Sequence, residues 1–172
     1  MTRLKTFDEE ENVIAIVETP RGTRTKLAFD DKFGAFTVKK VLPQGMSFPF
    51  DFGFIPSTLG EDGDPVDVLV LMDEALPTGT VVPSRLIGVI EAQQTEDGET
   101  TENSRLIAVA AECQIFSDVK KLSDLPQTVV EQIEHFFVTY NQEAGKQFEP
   151  TGRRGPRRAK TLVEKAMRRA GR

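Results

Sequence analysis

Glu61-Asp62-Gly63-Asp64-Pro65-Val66-Asp67-Val68 runs directly into Leu69-Val70-Leu71-Met72, so charge and apolarity meet within one short stretch. The apolar half has the length and composition of a buried strand. The acidic half sets three aspartates at its threshold, and carboxylates a few Å apart repel one another unless a counter-charge lies between them. A hard divalent cation such as Mg²⁺ or Mn²⁺ is the usual relief, because both prefer oxygen ligands. A solvated acidic turn is the competing reading, since Gly63 and Pro65 lie among the acids. An EF-hand starting at Asp62 is excluded, because it needs an acid or amide where Val66 stands and a glycine where Asp67 stands. Zinc is disfavoured by a chain with one Cys and one His, Cys113 and His135.

Working outward, Val13-Ile14-Ala15-Ile16-Val17 reads as a strand ended by Glu18-Thr19-Pro20, and residues 25–29 resume as another after a turn. Asp31-Lys32-Phe33-Gly34 turns the chain into Ala35-Phe36-Thr37-Val38, and residues 81–91 and 105–110 give two further strands. Short strands between polar turns point to a meander or barrel. Pro83 marks an edge or a bulge. The polar, acidic segment 93–104 reads as a mobile loop. A helix is expected over about 125–144, with Pro126 in its first turn and Gly145 ending it. Its apolar stripe is Val129, Val130, Ile133, Phe136, Phe137 and Tyr140. His135 lies beside that stripe and reads as a packing or interface residue rather than a catalytic one.

At 172 residues the chain has the size of one ordinary domain with a real core. No apolar run approaches the roughly 18 residues that span a membrane, and the N-terminus Met1-Thr2-Arg3-Leu4-Lys5 lacks the apolar stretch of a signal peptide. The lone Cys113 fits a reducing compartment, so the reading is cytoplasmic. The net charge of −5 hides an asymmetry: residues 151–172 hold nine Lys/Arg and one Glu, +8, and the other 13 basic and 26 acidic residues give −13. A nucleic-acid arm is one reading of this tail. The favoured one is a basic helix that packs Leu162, Val163, Ala166 and Met167 on its own acidic body, because no aromatic side chains accompany the charges. The expected division is therefore a domain over 1–150 and a basic helical tail over 151–172.

The acidic stretch, with its Asp64-Pro65-Val66-Asp67 core, resembles the signature of the soluble, Mg²⁺-dependent (family I) inorganic pyrophosphatases. The resemblance continues in Ser47-Phe48-Pro49-Phe50-Asp51-Phe52-Gly53-Phe54-Ile55, in Leu125-Pro126 and in His135-Phe136-Phe137, and covers about residues 13–148. It implies an α+β, mainly β fold: a small closed, five-stranded, OB-like β-barrel flanked by C-terminal α-helices. It also implies hydrolysis of pyrophosphate to two phosphates by metal-activated water, with Mg²⁺ as cofactor and Mn²⁺ as a substitute. Asp64 matches the general base, and Asp62, Asp67 and Glu18 match metal-site acids. Lys26, Lys40, Arg105 and Tyr140 match the groups that hold phosphate. A homo-oligomer built on helix surfaces near His135 is implied as well, with no membrane or nucleic-acid partner.

Several positions depart from the family pattern. Ala28 stands where the family has a glutamate, and Lys40 replaces an arginine and loses its two-pronged donor geometry. Phe48, Phe52 and Phe54 replace tyrosines, and Asn141 replaces a phosphate-contacting lysine. Asn103 matches a metal-binding aspartate but carries no charge. The other acid of that segment has no clean counterpart, with Asp97 or Glu96 as the candidates. These changes motivate two alternatives: a weakened or inactive homologue that binds phosphate or metal, and a hydrolase of a different phosphoanhydride.

Overall fold

The computed structural model describes residues 4–171, so residues 1–3 of the N-terminus and Arg172 of the tail lie outside the description. Five strands pair in a ring. β1 (Val13–Thr19) pairs with β4 (Asp51–Phe54), which pairs with β5 (Asp67–Leu71). β5 runs parallel to β8 (Arg105–Ala110), β8 pairs with β6 (Val81–Glu96), and β6 returns to β1. Every other pairing in the ring is antiparallel. β5 has neighbours on both sides and its Val68, Leu69, Val70 and Leu71 are almost wholly buried, which is why the sequence there is an unbroken apolar run.

The sixteen-residue β6 serves two purposes. Its first half closes the ring, and its second half pairs with β7 (Glu99–Glu102) and with β9 (Gln147–Arg154). Register shifts at Leu86/Gly88 and Glu91/Ala92 bend it between these tasks. Pro83 precedes the first rung with β8, at Ser84, so its missing N–H leaves that ladder intact. The segment 93–104 is therefore not a loop but the β6–β7 hairpin. Its two-residue turn, Asp97-Gly98, takes φ of 51° and 81°, the left-handed pair that a tight hairpin requires.

A second, two-stranded sheet of β2 (Thr25–Asp30) and β3 (Ala35–Val41) lies against the ring. The Thr19 hydroxyl pins it by donating to the Leu27 carbonyl and accepting from the Leu27 N–H, both at 3.0 Å. α1 (Gln127–Gln142) begins after Pro126, slightly inside the expected span, and follows a 3₁₀ turn at Leu122–Asp124. Val130, Ile133, Phe136 and Phe137 are its buried stripe, and His135 is exposed on the opposite side. The Gly145 (φ 74°) and Lys146 N–H groups close the helix onto the Gln142 and Asn141 carbonyls.

The basic tail docks on the body. β9 runs through residue 150, where the sequence reading put the start of the tail, and α2 (Pro156–Arg169) packs against β6. Ala159, Val163 and Ala166 are buried, while Leu162 and Met167 lie partly buried against the core. The tail's cations meet acids of the body: Arg153 pairs with Glu134, Arg158 with Glu91, Lys160 with Glu11, and Lys165 and Arg169 with Glu61. Among the described residues no helix is long and apolar enough to cross a membrane.

Candidate active site

The ends of several strands and of α1 surround one cavity of about 540 Å³. β1 supplies Glu18 at its penultimate residue, β2 supplies Lys26, and β5 and β8 supply their first residues, Asp67 and Arg105. The turn before β5 supplies Asp62 and Asp64, and the last turn of α1 supplies Tyr140. Asn103 lines the cavity from the link between β7 and β8.

Local hydrogen bonds build the acidic turn. The Gly60 N–H donates to the Asp64 carbonyl at 2.7 Å, and the Asp64 N–H donates to Oδ1 of Asp62 at 3.2 Å. Gly63 takes φ of 89°, which an L side chain would resist. α2 holds the turn from outside. The Leu59 N–H donates to the Ala166 carbonyl at 3.1 Å, and Arg169 reaches both the Leu59 carbonyl at 3.0 Å and Glu61 at 3.2 Å. The tail thereby braces the turn that carries the aspartates.

Lys26 and Glu18 form a pair at 3.3 Å, with the ammonium 4.0 Å above the Phe52 ring and the Phe29 N–H donating to the other Glu18 oxygen. The two favour each other's charge, yet burial outweighs that. It raises the Glu18 pKa above the usual carboxylate range and lowers that of Lys26. Burial first, and then the charges of Asp67 and Asp64, raise the pKa of Asp62, even though the residue sits in an exposed turn. Burial pushes the Tyr140 hydroxyl up to about 12, with the Asp67 charge the next cause. These carboxylates thus feel one another across the cavity.

Arg105 is buried and its guanidinium is central. Nη1 lies 2.6 Å from Oδ2 of Asp67 and also donates to Oδ1 of Asn103. The planar group rests over the rings of Phe137 and Phe148, at 4.9 and 5.3 Å from their centroids. Nδ2 of Asn103 donates in turn to Oε1 of Gln94 at 2.8 Å.

Glu18, Lys26, Asp62, Asp64, Asp67, Asn103, Arg105 and Tyr140 all line this cavity, and three residues named from sequence, Asp97, Glu96 and Lys40, do not. Asp97 sits at the exposed tip of the β6–β7 hairpin, because the left-handed turn faces it away from the ring. Glu96, the other candidate acid, pairs with Lys146 at 3.0 Å. Lys40 stands beside the cavity with its ammonium 3.7 Å above the Tyr140 ring. Its pKa is lowered by burial, then by the charges of Lys146 and Lys26. Gln94 and Lys146 line the cavity without having been singled out from sequence. Gln94 becomes buried only through pairing of β6 with β9, a contact no local pattern reveals.

Among the described residues no three His, Cys, Asp or Glu side chains close on a common point. The donor chemistry nonetheless fits a hard dication on one side. Asp62, Asp64 and Asp67 offer oxygens, and the repulsion that adds to burial in raising the Asp62 pKa is what such an ion would relieve. The opposite wall, with Asn103 and Gln94, offers amide oxygens already bound to donors.

The sequence matches the family model for inorganic pyrophosphatase over residues 15–171. It is 38% identical over 160 residues to the inorganic pyrophosphatase of Sulfolobus acidocaldarius, a match covering 91% of this chain and 90% of that one. It is 39% identical over 145 residues to that of Thermus thermophilus, covering 83% and 81%. The crystal structure of the Thermus thermophilus inorganic pyrophosphatase superposes with a TM-score of 0.89 at 34% identity, covering 99% of this chain and 98% of that one. That of Helicobacter pylori superposes with a TM-score of 0.85 at 31% identity, covering 99% of each.

Proposed function

This chain belongs to the inorganic pyrophosphatase family, and from that premise we propose how it hydrolyses pyrophosphate to two phosphates. The observation that carries the reading is the meeting of two charge types in one cavity. Asp62, Asp64, Asp67 and Glu18 line it together with Lys26, Arg105 and Lys146, with Glu18 and Asp67 paired directly to Lys26 and Arg105 and the neutral Tyr140 beside them. Asp62 and Asp67, with Glu18 beside them, would hold Mg²⁺. When bound, the ion supplies positive charge that neutralises phosphate oxygens and acidifies water.

The chain's own groups do the rest. Lys26 and Arg105 present fixed positive charge to the phosphates, and the Tyr140 hydroxyl, kept neutral at any physiological pH, donates a hydrogen bond. Asp64 is the general base and takes the proton of the attacking water on a carboxylate oxygen. It sits in the exposed part of the turn, so that proton has a short way out to solvent. Glu18 keeps Lys26 aimed at the cavity through the 3.3 Å pair. Turnover should be slower than in members with the acids and tyrosines in place, because each lost electrostatic contact is commonly worth about 3 kcal/mol. We also place the protein in the cytoplasm, as a homo-oligomer associating through α1 near the exposed His135. Light scattering of the purified chain tests the second point.

Phosphate release from pyrophosphate in Mg²⁺, with Asp64→Ala alongside, tests the reading. Wild-type turnover falling by roughly 10²–10⁴ in the variant is the expected result. Absence of wild-type turnover in both Mg²⁺ and Mn²⁺ would overturn the reading, and turnover unchanged in the variant would remove Asp64 from its role. The two alternatives, a silent phosphate-binding homologue and a hydrolase of another phosphoanhydride, draw no support from the relatives reported above, all inorganic pyrophosphatases.

A further inference from the structure

The wall of the cavity built by β6, the link before β8 and the first residues of β8 and β5 has an unusual composition for a site that handles divalent ions. Four groups form a chain across it: Asp67, Arg105, Asn103 and Gln94. Only one of them is an acid, and its Oδ2 is taken by Nη1 of Arg105 at 2.6 Å. The amide orientations follow from donor and acceptor chemistry. A guanidinium can only donate, so the oxygen of Asn103 must face Arg105. The nitrogen of Asn103 must then face Gln94, whose oxygen accepts at 2.8 Å. Every oxygen of this wall that a cation could use, other than the second oxygen of Asp67, already has a donor.

Arg105 is also fixed in place. It is 3% exposed, and the rings of Phe137 and Phe148 pack beside the guanidinium. Nη1 alone meets both Oδ2 of Asp67 and Oδ1 of Asn103, and the rigid plane of the guanidinium holds it there as an ammonium on a flexible stem would not. The charges of Asp67 and Arg105 cancel, and Asn103 and Gln94 contribute none. Nothing on this wall draws in a second positive ion, whereas the turn with Asp62 and Asp64 does.

We propose that Arg105 is a built-in cation that replaces a divalent ion on this wall, so that metal binds only on the side of Asp62, Glu18 and the second oxygen of Asp67. The guanidinium does by covalent attachment what an ion would do by coordination: it organises Asp67 and Asn103 and presents positive charge to a phosphate. This rests on the diphosphatase reading for the meaning of the cavity, but its test is a count of ions rather than a rate.

The experiment is a Mn²⁺ binding isotherm on the full chain without pyrophosphate, comparing wild type with the double variant Gln94→Asp/Asn103→Asp. The double variant places two acids on the wall and is expected to bind one more ion per chain than wild type. Equal ion counts would overturn the proposal. If circular dichroism shows the double variant unfolded, Asn103→Asp alone, nearly isosteric, is read in the same way. Wild type that turns over pyrophosphate but matches the variant's ion count would sink this inference and leave the function standing. Wild type without turnover would sink the function while the ion count still decides this point.

Discussion

Tyr140 is the chain's only tyrosine and there is no tryptophan, so any phenolate signal reports on the candidate site alone. Burial is the first cause of its raised pKa, the Asp67 charge the second, with Arg105 opposing and Glu18 adding. From 10.0 to about 12 is two units, which amounts to roughly 3 kcal/mol in favour of the neutral phenol in the folded chain. The unfolded chain releases this proton near pH 10, while the folded chain keeps it to about pH 12. Stability tied to the group is therefore whole below pH 10 and is lost as pH rises through about 12. A spectrophotometric titration by pH jump, read before the chain unfolds, should give a native midpoint near 12 and a denatured one near 10. Tyr140→Phe should abolish the step. Asp67→Asn should lower the native midpoint, because it removes a like charge. A native midpoint near 10 would refute the reasoning, since it would mean that water reaches the hydroxyl freely and that the aromatic cage of Phe48 and Phe136 is not closed around it.

Three further outcomes are expected, each read from thermal unfolding unless stated. Gly53→Ala would put a methyl 2.0 Å from the Ile16 carbonyl oxygen in the facing strand. Overpacking of that kind costs about 1–3 kcal/mol or more, and a melt within about 1 °C of wild type would show that β1 and β4 separate easily. Arg105→Met strips the donor from Asp67 and Asn103. The loss should be about 3 kcal/mol, at the low end for a broken buried pair, because Asp67 keeps 23% of its side chain exposed. At about 2–4 °C per kcal/mol the melt should fall by roughly 6–12 °C. Arg169→Ala removes a partly exposed pair and the contact with the Leu59 carbonyl, costing about 1 kcal/mol. Its larger effect should be weaker Mn²⁺ binding, because the turn carrying Asp62 loses its brace. Unchanged Mn²⁺ affinity would mean that the turn holds its shape alone.

What the sequence revealed, and what it hid, follows from the range of the contacts involved. β5 was legible because burial on both sides demands an unbroken apolar run, and α1 because its buried face repeats with the helical period. The acidic turn was legible because the three aspartates lie within six residues of one another. β9 was hidden by Pro150 and Gly152, which argue against a strand. The register shift opposite them, at Glu91/Ala92, absorbs both. The β6–β7 hairpin read as a loop because Glu96-Asp97-Gly98-Glu99 is wholly polar, although Asp-Gly is itself a hairpin signal. Asp97 was expected at the site for its charge, and charge says nothing of the direction in which a turn points its side chain. Gln94 was invisible because its burial and its bond to Asn103 depend on strands far apart in the chain.

The substitutions on the two sides of the cavity compensate one another. Ala28 and Asn103 are neutral, as is Gln94 bonded to Asn103, and they leave the acid side resting on the turn and on Glu18. On the phosphate side Asn141 brings no charge: its amide is spent on the Phe137 carbonyl at 2.8 Å, within its own helix. Lys146, just beyond that helix, brings an ammonium to the same cavity. Its field, with that of Lys26, adds to burial in lowering the Lys40 pKa. On the site roles proposed above, the positive groups that remain are attached to the chain, while the groups given up are mostly those that would have recruited ions from solution. An anion as highly charged as pyrophosphate needs its charge met, and here more of that charge is met by side chains. Binding of pyrophosphate to the metal-free chain should therefore weaken steeply with added salt, as attraction to fixed and partly solvated cations does. A site that relied on recruited ions would show little metal-free binding for salt to weaken.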